Sequence, residues 1–194
     1  RVYSGFSSLV SIDEPFLSVL VGKRKNLLEL AMSRGEAFDF VVEMLDKALQ
    51  GIRTTSSIHV CGGIGRCLSE ILLETNFRIL SHEFSVMPRN FESYAPADPE
   101  SYSKILSVGV VTTTPTEDPE GVEPIVLVEK RMKNAIERYG MENVIFSPDC
   151  GFRTLGDLLG EEEGHKLAMS KIERLVRAKS NLASRLDLLT EKKK

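Results

Sequence analysis

Hydrophobic and polar positions along the chain switch between two periods. Short runs rich in β-branched residues alternate with longer stretches whose apolar residues recur every three or four positions. The two periods predict strands and helices respectively. The first run covers residues 8–13 (SLVSID) and ends in the turn signal Glu14-Pro15. A helix is predicted over 35–49, where Phe38, Val41, Val42, Leu45 and Leu49 share one face. The second strand, 57–61 (SIHVC), is closed by Gly62-Gly63 and followed by a helix over 67–75. The third strand is 78–84 (RILSHEF). The fourth, 105–111 (ILSVGVV), precedes a Thr-, Pro- and Glu-rich loop over 112–124 and a helix over 125–139. The fifth, 143–147 (NVIFS), runs into Pro148-Asp149-Cys150-Gly151. A final long helix is predicted over 164–189, with Leu167, Ile172, Leu175, Val176, Leu182 and Leu186 on its apolar side. It should cover the sheet or pair with another chain, and a Lys-rich tail follows it.

Strands alternating with helices imply βαβ units and a parallel sheet. Right-handed crossovers then bring every strand's C-terminal end to one face, where β/α barrels build their active sites. The expected fold class is α/β, of the (β/α)8 TIM-barrel type. Only five units are visible in 194 residues, whereas a closed barrel has eight units in roughly 250 residues. Residues 1–194 are therefore expected to be the C-terminal part of such a barrel. The N-terminal half would come from the same or another chain, an expectation that the opening Arg1 in place of Met fits.

Composition narrows the partners. The formal net charge of -3 and pI near 5.7 weigh against nucleic acid, which needs a basic face. No apolar run approaches the roughly 20 residues that span a bilayer, so no membrane partner is expected. Three cysteines, Cys61, Cys67 and Cys150, are an odd number. They fit a reducing, cytoplasmic setting in which thiols serve as metal ligands or nucleophiles.

The candidate chemistry sits at strand ends. Asp13, His59, Cys61, Glu83 and Cys150 all lie at, or just past, predicted strand C-termini. His59 and Cys61 are two apart and so point to one side. With Glu83 and Cys150 they make a chemically reasonable tetrahedral zinc set. The same residues also read as core and loop positions with a buried thiol, because free cysteine is commonly a small hydrophobe. Spacing alone leaves both readings open. Cys67, among Leu68, Ile71 and Leu72, reads as packing. His82 should face away from Glu83, and His165 reads as a surface residue. Gly62-Gly63-Ile64-Gly65 reads as a turn into a helix rather than a phosphate cradle.

The segments IDEP (12–15), HVC (59–61), SHEFS (81–85) and SPDCGF (147–152), in that order, resemble cobalamin-independent methionine synthases. The resemblance implies a catalytic Zn2+ held by His59, Cys61, Glu83 and Cys150. It implies transfer of a methyl group to the thiol of homocysteine from a 5-methyltetrahydrofolate-type or methylcorrinoid donor. It gives Asp13, with Glu14 beside it, to the substrate amino group. Asp149 would orient Cys150 or its loop, or else simply form the turn. One feature departs from the family: the stretch GVVTTTP (109–115) lacks the histidine found there, which is thought to protonate the departing amine. A methylcorrinoid leaves without needing a proton, so the departure leans toward that donor. Two rival readings are a sister enzyme acting on another thiol, such as coenzyme M, and a non-catalytic barrel fragment with structural zinc.

Overall fold

The computed structural model describes residues 7–21, 33–118 and 120–191. Five strands, β1 (Leu9–Asp13), β2 (Thr55–Val60), β3 (Ile79–Glu83), β4 (Ile105–Val111) and β5 (Val144–Pro148), pair in sequence order, and every pairing is parallel. The helices are α1 (Leu17–Leu20), α2 (Arg34–Ala48), α3 (Gly65–Glu74), α4 (Asp98–Ser101), α5 (Ile125–Tyr139), α6 (Arg153–Leu159) and α7 (Glu161–Glu191). The start of α2 is fixed by a capping box, in which Ser33 and Glu36 each satisfy the other's backbone N–H.

The two faces of the sheet differ in chemistry. Ile58, Val60, Leu80, Leu106, Val108 and Val110 are fully buried on one side, in a single core with Leu68 and Leu72 of α3 and Val128 and Met132 of α5. The opposite face carries, in lateral register, Asp13, His59, Ser81 and Ser107, with Glu83, Gly109 and Ser147 one step further along. Burying one face against helices therefore forces the candidate site residues onto the other. Among the described residues β1 and β5 each have a single strand neighbour. Leu9 and Ile145, on these outer strands, remain 43% and 41% exposed.

Three departures from the predicted elements have physical causes. The C-terminal helix α7 starts three residues earlier than predicted, and a short helix absent from the predicted elements, α6, precedes it, set off by Gly160 at φ +83°, a conformation that helices do not contain. The apolar side of α7 is also turned from the predicted one. Ala168, Lys171 and Ala178 are buried, while Ile172 and Val176 stay 39% and 54% exposed. The reason is a buried ion pair between Lys171 and Glu123, described below. Between β3 and β4, where the pattern predicts no element, the chain makes a 3-10 turn (Pro88–Glu92) and the short α4. The Leu186 side chain and residues 192–194 lie outside the described residues. No helix among the described residues is long and apolar enough to cross a membrane.

Candidate metal centre

His59 projects from the polar side of β2, level with Asp13 on β1 and Ser81 on β3. It is buried, with Nδ1 3.1 Å from Ser81 Oγ and Nε2 3.3 Å from Cys61 Sγ. Cys61, the first residue after β2, has its sulfur 3.7 Å from Cys150 Sγ, which follows β5. The three donor atoms lie within 4.8 Å of one another. Tetrahedral bonds of about 2.3 Å to sulfur and about 2.0 Å to nitrogen separate two sulfurs by about 3.8 Å and sulfur from nitrogen by about 3.5 Å. The observed spacings match those edges. They do not match a disulfide, whose sulfurs are about 2.05 Å apart.

The electrostatics agree with the distances. Burial, followed by the charges of Cys150, Glu83 and Asp13, pushes the Cys61 thiol up to about 12. Burial penalises any unpaired charge, but the Cys150, Glu83 and Asp13 part of the shift is clustered negative charge that a cation relieves, and a metal ion deprotonates a thiol that it binds.

The remaining expected residues are placed unevenly. Glu83 stands outside the three-donor cluster, its Oε2 accepting the Gly62 N–H at 2.9 Å on the loop that follows Cys61. Asp13 is exposed at the rim. Glu14 turns its carboxylate onto its own loop, accepting the Phe16 N–H at 3.1 Å, while its backbone N–H donates to His59 O at 2.9 Å. His82 points to the helix side, as alternation requires. There Nδ1–H donates to Val60 O at 3.3 Å, and Nε2 accepts from the Tyr94 hydroxyl at 2.8 Å. Its burial drives its pKa down to about 3, so it is a neutral core residue. His165 is exposed, and Cys67 is half-buried against the core.

Asp149 is almost fully buried and saturated with donors. Oδ1 accepts the N–H groups of Phe84 and Ser85, both at 3.0 Å, and Oδ2 accepts the Ser85 hydroxyl at 2.6 Å and the Val86 N–H at 3.1 Å. Its own N–H donates to Val111 O at 2.9 Å. The side chain thus ties the residue before Cys150 to the end of β3, and its backbone N–H ties it to the end of β4. The approach is possible only over a glycine: a Cβ on Gly109 would sit 2.3 Å from Asp149 Oδ1 and 2.7 Å from its Cα. Gly109→Ala should therefore cost about 1–3 kcal/mol, the usual range for overpacking. It should also displace Cys150 and loosen the triad, read as weaker retention of added Zn2+ on dialysis. Wild-type retention together with wild-type thermal stability would refute the argument.

Sequence reasoning missed Ser81, Asn90 and the Lys171–Glu123 pair. Ser81 was reachable, since it lies two residues before Glu83 and so shares its face. Asn90 was not, because a polar residue between Pro88 and Glu92 looks like any turn residue.

The family described as cobalamin-independent synthase, catalytic domain, matches residues 4–178. A methionine synthase of Methanothermobacter thermautotrophicus is 33% identical over 175 residues, covering 90% of this chain and 47% of that protein. One from Methanocaldococcus jannaschii is 29% identical over 153 residues, covering 76% and 43%. The chain thus spans a little under half the length of these relatives. Among solved structures, a B12-independent methionine synthase from Shewanella sp. W3-18-1, in complex with selenomethionine, superimposes with a TM-score of 0.59 at 16% identity, over 97% of this chain and 52% of that one. A methyltransferase from Methanosarcina mazei gives 0.57 at 18% identity, over 94% and 46%. These two superpositions speak to the fold, α/β with parallel units of a barrel.

Proposed function

The chain belongs to the cobalamin-independent synthase catalytic-domain family, and from that premise we propose that it is the C-terminal, zinc-bearing part of a β/α barrel that methylates the thiol of homocysteine to give methionine. The observation that carries this reading is the meeting of His59 Nε2, Cys61 Sγ and Cys150 Sγ at the edge lengths of a metal tetrahedron, with the two sulfurs 89 residues apart in sequence. The rest of the barrel would supply strands to the outer edges of β1 and β5.

Zinc bound here would supply Lewis acidity, which brings a thiol with a pKa of about 8.5 to its nucleophilic form at neutral pH. The chain's own residues do the rest. Ser81 holds the Nδ1 side of His59, so that Nε2 faces the two sulfurs. Glu83, held beside the triad by the Gly62 N–H, would add a fourth donor, making three anionic groups against one neutral imidazole. That excess of negative charge keeps electron density on an incoming sulfur. Asp13, exposed beside His59, pairs with the substrate ammonium and so aims the sulfur into the site. Glu14 contributes through the turn that sets Asp13.

The donor side of the reading follows from the end of β4. Thr112 spends its hydroxyl on Thr114 O, and its N–H donates to Glu123. The segment 109–115 holds no titratable acid. A methylcorrinoid, which departs without taking a proton, suits this rim better than a methylfolate.

Two measurements test the proposal. Purified chain, joined to its N-terminal half where one exists, should hold zinc by elemental analysis. It should release a proton on adding homocysteine but not coenzyme M. Release with coenzyme M alone would move the assignment to the sister activity. Zinc without release for either thiol would leave a structural site.

A further inference from the structure

Resting on the zinc reading above, we propose that Asn90 is the positioning residue that sets Glu83 against the His59–Cys61–Cys150 cluster. Asn90 is 1% exposed and spends its whole amide on the two segments that flank the site. Its Oδ1 accepts the Ile64 N–H at 3.0 Å. Its Nδ2 donates to Gly62 O at 2.9 Å and to Glu83 O at 2.6 Å. Gly62 and Ile64 belong to the loop that leaves Cys61, and Glu83 is the last residue of β3.

The consequence concerns one peptide unit and one carboxylate. The Gly62 carbonyl is held by Asn90, while the Gly62 N–H donates to Glu83 Oε2 at 2.9 Å. The Glu83 backbone carbonyl is held by the same Asn90 amide group. The glutamate is therefore fixed at its main chain by Asn90 and at its carboxylate by a loop that Asn90 also fixes. The three clustered donors depend on Asn90 less: β2 and Ser81 place His59, Cys61 follows directly on β2, and the Asp149-anchored turn places Cys150. Glu83, which lies outside that cluster, depends on it directly. Asn90 itself is delivered by the 3-10 turn between β3 and β4, and Ser69 secures that segment from α3 through a short hydrogen bond to Ser93 O.

Co2+ is the probe, because thiolate-to-cobalt charge transfer reports sulfur ligation and the d–d bands report the geometry and number of donors. Asn90→Asp keeps the acceptor for Ile64 N–H but turns an acidic oxygen toward two carbonyls. It should keep the charge-transfer band, alter the d–d bands and lower Co2+ affinity at least tenfold. Ser69→Ala loosens the same segment without touching Glu83, and should lower the melting temperature while leaving spectrum and affinity as in wild type. Should Asn90→Asp not reach the native circular dichroism, Asn90→Ser, which is smaller and carries no charge, gives the same comparison. Wild-type d–d bands and affinity in the Asn90 variant, or equal changes in both variants, overturn the role of Asn90 alone. No charge-transfer band in the wild-type protein overturns the metal reading, and the Asn90 role falls with it.

Discussion

Cys150→Ser should strip the site of zinc, lowering affinity by well over the roughly 10–100-fold that loss of an outer partner costs. The argument is geometric. His59 Nε2 and Cys61 Sγ lie 3.3 Å apart at the C-terminal end of β2, and the 3.7 Å step to Cys150 Sγ is what makes an edge into a face. A serine oxygen sits closer to its own Cα than a sulfur does and is far more reluctant to give up its proton. The remaining pair would hold the ion loosely. Competition against a chromophoric chelator measures the change, and Cys67→Ser, half-buried against the core and remote in role, should bind as wild type. The fold should survive, because the Cys150 sulfur makes its polar contact with Cys61 alone while Asp149 secures the turn. If Cys150→Ser kept wild-type zinc affinity, the triad would be a coincidence of packing and the proposed chemistry would lose its centre.

How far such a site is legible without coordinates depends on which physical rule places each residue. β4 and α5 appear where their patterns predict them, at Ile105–Val111 and Ile125–Tyr139, because a fully buried strand and an amphipathic helix write themselves into the apolar period. His59, Cys61 and Cys150 were legible because parallel strands bring their C-terminal ends together whatever the intervening chain does. Glu83 shows where that rule stops. Strand order puts it near the sulfurs, but its carboxylate direction is set by Gly62 and Asn90, whose meeting depends on a 3-10 turn with no periodic signal. Gly109 is invisible for a similar reason. A glycine in a strand suggests a close approach, but the sequence does not say that Asp149 is what approaches. The α7 face was misjudged because a lysine was counted as polar, although Lys171 stands four residues after Leu167 and four before Leu175. Helical spacing would have put it on the buried side had charge not argued against it.

That lysine carries the other large expected effect. Lys171 and Glu123 are 0% and 3% exposed at their side chains and meet at 3.0 Å. Lys171 also reaches Thr112 Oγ1 at 3.2 Å, and Glu123 accepts the Thr112 N–H. Arg131 approaches the same carboxylate at 3.4 Å and donates to Val110 O at 2.8 Å. The cluster binds α7 and α5 to the end of β4, the strand whose Val111 carbonyl receives the Asp149 N–H. Lys171→Met keeps the length of the side chain and leaves Glu123 buried without its ammonium partner, a change that costs about 3–5 kcal/mol. Urea unfolding should show that loss. Adding Glu123→Gln should cost less than the sum of the two single changes, because the stranded charge is then gone.

Acid provides a second readout with a definite sign. Burial raises the Glu123 pKa, but the Thr112 N–H and the Lys171 ammonium outweigh it and hold the group below the 4.5 of an unperturbed glutamate. A carboxyl depressed in the folded state contributes its stability above the unfolded value and loses it as pH falls through the folded one. The wild-type contribution is therefore complete above 4.5 and fades below it. In Lys171→Met the ammonium no longer lowers the group, the folded pKa rises toward or past the unfolded value, and the stability gap between variant and wild type should narrow as pH falls below 4.5. A variant that unfolded within about 1 kcal/mol of wild type, with a gap that stayed the same as pH fell, would show that the pair merely fills space between α7 and β4.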